Sequence, residues 1–93
     1  MAKQDLLDLK SWVNLRKVYL LRDLSLLEKK IFETEKKIKS ETDRKKKQVL
    51  KDVLSILKAD KSNLIIKLSD LDSILARAND YLEELYPEPP ILG

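Results

Sequence analysis

A chain of 93 residues makes one domain and, folded alone, withdraws only about 60 to 65% of its unfolded surface from water, so a partner chain would add stability. Apolar residues are 43% of the sequence and charged residues 38%, with a formal net charge of +3, a balance that suits helices apolar on one side and solvated on the other. There is no cysteine, no histidine and no glycine before Gly93, which excludes disulfides, thiolate and imidazole metal ligands, Ser-His and Cys-His nucleophile pairs, Gly-rich phosphate loops and the tight turns of β-rich folds.

An all-α, non-enzymatic protein with no cofactor and no small-molecule substrate follows from those absences. The lack of cysteine makes an intracellular, by default cytoplasmic, setting the expectation. The first ten residues, MAKQDLLDLK, hold no apolar core of signal-peptide length, and runs such as Leu64 to Ile66 fall far short of the ~18 to 20 residues that span a bilayer. Neither export nor a transmembrane segment is therefore expected.

At 100° per residue, Leu6, Leu9, Val13, Leu20, Leu24, Leu27, Ile31 and Ile38 fall in a sector of about 60°, which predicts one amphipathic helix over roughly 4 to 38. The same helix carries a second apolar group, Trp12, Leu15, Tyr19 and Leu26, within about 60° of one another and off the main stripe. Lys30, Glu33 and Lys37 continue that second face as charge, so the patch is confined to the N-terminal two-thirds. A single partner helix needs only one stripe. The second face is therefore a candidate partner interface, unless a third helix of the same chain covers it.

Residues 33 to 48 hold one strongly apolar residue, Ile38, and the stretch Ser40-Glu41-Thr42-Asp43 reads as a helix start, with Ser40 as N-cap and Asp43 three residues on. The chain is expected to reverse near 39 to 43. Residues 29 to 51 carry ten basic residues against four acids, a net +6, whereas 52 to 93 sum to −4. The reversal would thus form a basic tip of Lys36, Lys37, Lys39, Arg44, Lys45, Lys46 and Lys47, a candidate anion or nucleic-acid contact. Phe32 is the only aromatic near it and Arg44 its only arginine, so stacking platforms for single strands are scarce.

Beyond the tip, Leu50, Leu57, Leu64, Leu71, Ala78 and Leu85 recur every seven residues, with Leu54, Leu68, Leu75 and Leu82 four positions further on. This is a heptad seam over about 49 to 85. It predicts an antiparallel helical hairpin or coiled coil, able to dimerise into a four-helix bundle, closed by Leu6, Val13, Leu20, Leu27, Leu64, Leu71 and Leu85. The alternative is a three-helix bundle of about 4 to 38, 42 to 59 and 62 to 86, because Asp60-Lys61-Ser62-Asn63 interrupts the seam and either Asp60 or Ser62 would serve as a cap. The domain spans 1 to 86, and the prolines of 87 to 93 impose an extended tail. The functional expectation is a helical protein-protein interaction module, a scaffold subunit or adaptor binding a protein partner or a second copy; the alternative is a small nucleic-acid-associated protein working through 36 to 47.

Overall fold

The computed structural model describes residues 2 to 87, so the expected tail lies, beyond Pro87, outside the described residues. Two helices account for nearly all of them: α1, Lys3–Ser40, and α2, Arg44–Leu85. With neither proline nor glycine between residues 2 and 86, no backbone breaker interrupts either helix. At 1.5 Å per residue they run about 57 and 63 Å, and they lie against each other in a rod of 70 × 29 × 15 Å. The hairpin expectation holds.

Three residues make the turn. Glu41 leaves α1 in an extended conformation, its N–H donating to the Lys37 carbonyl at 2.9 Å, and its carboxylate accepts the Asp43 N–H at 3.0 Å. Asp43 caps α2 by accepting the Lys45 and Lys46 N–H groups at 2.9 and 3.3 Å. The sequence assigned that cap to Ser40, which is instead the last residue of α1 and donates its hydroxyl to the Lys37 carbonyl at 3.2 Å. The reason is positional: Asp43 adjoins the first helical residue with an extended backbone, and a carboxylate there satisfies two orphan donors at the positive end of α2.

The three-helix alternative is overturned, because α2 runs unbroken through Asp60-Lys61-Ser62-Asn63. Only Lys61, a half-buried residue, falls on the seam; its ammonium lies 3.8 Å from Glu28, while Asp60, Ser62 and Asn63 face water. Leu57 and Leu64, a turn to either side, keep the helix docked. One polar seam position costs less than breaking a helix that no proline forces to break.

Every residue of the α1 stripe is buried or half-buried, and Val13, Leu20 and Leu71 form the core with Leu9, Leu64, Leu68 and Leu75 packed around it. Val13 is wholly enclosed, at 0% exposure. Leu85 departs from the expected seam: the last residue of α2, it is 52% exposed. A polar residue takes a core place instead, for Thr34 is buried and donates its hydroxyl to the Lys30 carbonyl at 2.7 Å, which removes the cost of an unpaired buried group.

Two ion pairs, Lys17 with Asp72 and Lys61 with Glu28, mark the register that the apolar seam sets. Eleven residues forward on α1 match eleven back on α2, so both contacts belong to one antiparallel register. Among the described residues, no helix is long and apolar enough to cross a membrane.

Candidate functional site

The two broad sides of the hairpin differ. One carries both ion pairs, and near the open end Lys3, Leu7 and Lys10 of α1 face Asn79, Leu82 and Glu83 of α2 across it. On α1, Lys10, Lys17 and Glu28 lie within about 20° of one another, to one side of the core stripe. Trp12, Leu15, Tyr19 and Leu26 lie to its other side.

On that other side Leu6 and Leu9 meet Ile74, Ala78, Tyr81 and Leu85 across an apolar groove of about 400 Å³, edged by Arg77. Trp12, Leu15, Arg16 and Tyr19 surround a shallower hollow on α1 alone. The four residues singled out by the sequence are 51 to 60% exposed, and α2 does not cover them. A two-helix fold has no third element to do so, and each Å² of apolar surface left wet forgoes about 25 cal/mol. Trp12, Tyr19 and Leu26 succeed one another at seven-residue intervals, so they form one row, widened by Leu15.

Several exposed apolar residues of α2 escaped the sequence reading. Ile74 and Tyr81 wall the groove, and Val53 shares their heptad position nearer the tip. Their seven-residue spacing was the available signal, masked because the seam beside them already explained α2 as amphipathic. Val49 and Ile56, the latter 63% exposed, extend apolar surface toward the tip.

The lysine-rich tip is assembled as expected in space. Six of its seven cations, Lys36, Lys37, Lys39, Arg44, Lys45 and Lys46, are exposed and Lys47 is half-buried; none makes an ion pair among the described residues. The Lys36 ammonium sits 4.5 Å from the centre of the Phe32 ring, which engages the one aromatic there with a cation of the same helix. Lys37, Glu41, Lys46, Val49 and Leu50 ring a shallow, mostly apolar hollow. Among the described residues no cluster of acids could hold a metal ion. No protein-family model, curated protein or solved structure matches the chain.

Proposed function

We propose that this protein is a non-enzymatic helical interaction module, an intracellular subunit or adaptor that joins another protein chain through the α1 face of Trp12, Leu15, Tyr19 and Leu26. The observation that carries the reading is that face itself: four large apolar side chains, each more than half exposed, contiguous on one helix and uncovered by the rest of the fold. Scattered apolar residues on a surface are ordinary, whereas an aromatic-rich row flanked by charge has the composition of an interface core. The absence of histidine and cysteine supports the non-enzymatic part of the proposal.

Photo-crosslinking in the native cell tests it. A photoreactive residue at Leu15 is expected to give protein adducts that disappear when Trp12→Glu is added, while the same probe at Lys29, on the outer face, gives none. Adducts indifferent to Trp12→Glu, or their absence at Leu15, would sink the proposal.

A second reading rests on the cluster of cations at the tip: a contact with phosphates, non-specific in sequence. Its signature is an affinity that falls steeply with salt, each neutralised phosphate adding about 0.9 to the log-log slope on duplex DNA. Binding unaffected by exchanging Lys45, Lys46 and Lys47 for Gln would eliminate it.

A further inference from the structure

Accepting the α1 face as an interface, we infer that its occupant is a second copy of this chain, docked antiparallel with α1 against α1 and Tyr19 on the two-fold axis. Three observations lead there. The first is area. The chain exposes 7591 Å², whereas a compact monomer of 10.8 kDa exposes about 5,500 Å². The excess of roughly 2,000 Å², spread along the whole rod, leaves room for the ~800 Å² per partner that a standard stable interface takes. A radius of gyration of 20.9 Å, against about 12 Å for a compact chain of this length, expresses the same incompleteness.

The second is self-complementarity. A two-fold contact needs a patch that matches its own reverse. Trp12 and Leu26 each lie seven residues from Tyr19, so an antiparallel copy centred on Tyr19 sets Trp12 against the partner's Leu26 and Leu26 against the partner's Trp12. Large and medium side chains then alternate across the contact.

The third is charge. In this register Arg16 falls beside the partner's Asp23, and both lie on the same flank of the apolar row, about 20° apart on the helix. Lys30 falls opposite the partner's Asp8. Arg16, Asp23 and Lys30 make no ion pair within their own chain among the described residues. A parallel dimer would instead set two basic tips side by side, well inside the ~8 to 10 Å over which physiological salt screens them.

The chain has no cysteine, so single introduced thiols read the geometry directly. Under mild oxidation Tyr19→Cys is expected to link to itself, and a mixture of separately tagged Trp12→Cys and Leu26→Cys chains to give the mixed dimer in at least tenfold excess over either self-linked one. In the inferred register two Trp12 positions lie about 21 Å apart along the axis, beyond the ~7 Å Cα separation a disulfide tolerates. Light scattering on the unmodified chain should give twice the chain mass, weakened at least fivefold in dissociation constant by Arg16→Asp and restored by adding Asp23→Arg. Self-linking of Trp12→Cys, or a chain monomeric at every concentration while helical by circular dichroism, overturns the inference. Monomers that still yield Leu15 adducts to a different protein in the cell would reject the second copy alone, whereas monomers without such adducts would reject the interaction reading too.

Discussion

The half of the hairpin near the chain termini and the half near the turn are built from the same two helices yet are held differently. Near the termini, Leu6, Val13, Leu20, Leu71 and Ala78 are buried; near the turn only Ile31 and Thr34 are, and α2 between Arg44 and Asp70 has no fully buried residue. The turn half relies on local means: a three-residue connection, the Asp43 cap, and a seam that admits Lys61. The Trp12-to-Leu26 row begins over the well-packed half. A binding face set on a stiff support loses less entropy on docking, whereas the charged tip has no such support.

The largest test of that contrast compares equal truncations. Leu20→Ala removes a side chain from the core cluster and is expected to cost about 2 to 5 kcal/mol. Leu57→Ala, at a half-buried position in the turn half, should cost about 1 kcal/mol. Urea midpoints at one fixed protein concentration compare them, since association would make the midpoint depend on concentration. Equal losses would mean that the two halves share one uniformly packed seam.

Much of this architecture was legible in the sequence because burial in a long helix imposes a period, and both stripes obey it from Leu6 to Leu82. Capping was harder to read: Ser40 and Asp43 are both good caps, and only the backbone, extended at 43 and helical at 40, decides between them. The polar run 60 to 63 misled for a related reason. Three of its four residues face water, where polarity carries no penalty, so composition alone mimicked a boundary. The candidate face was visible as a surplus of apolar residues on α1, whereas the α2 groove wall at Ile74 and Tyr81, though spaced by seven, was masked by the leucine seam beside it.

A proline at that same run separates the halves. Ser62→Pro introduces the ring into the interior of α2, at about 3 kcal/mol. Amide exchange is expected to keep protection at 66 to 82, which supplies Leu68, Leu71 and Leu75 to the core cluster, and to lose it over 47 to 61. Protection lost equally along α2 would show that the termini-side half cannot hold itself together once the helix is broken.

Removing the cap acts on the turn half alone. Asp43→Ala leaves the Lys45 and Lys46 N–H groups without their acceptor and should lower stability by about 1 kcal/mol. Exchange at those two amides should quicken while that at Val13 and Leu20 changes only with the global stability. A cap loss felt selectively at Leu20 would contradict the local character of the turn half.

The smallest effect is a gain. Lys61 stands at a seam position between Leu57 and Leu64, and its ion pair with Glu28, at 3.8 Å with both side chains more than a third exposed, contributes at most a few tenths of a kcal/mol. Lys61→Leu trades that pair for apolar contact and is expected to raise stability by about 0.5 kcal/mol, read as a higher urea midpoint with an unchanged slope. If the turn half is loosely held because its seam is interrupted here, the same substitution should also reduce the difference in cost between Leu20→Ala and Leu57→Ala. A gain in stability with that difference intact would place the looseness elsewhere, in the half-buried leucines of α2 themselves.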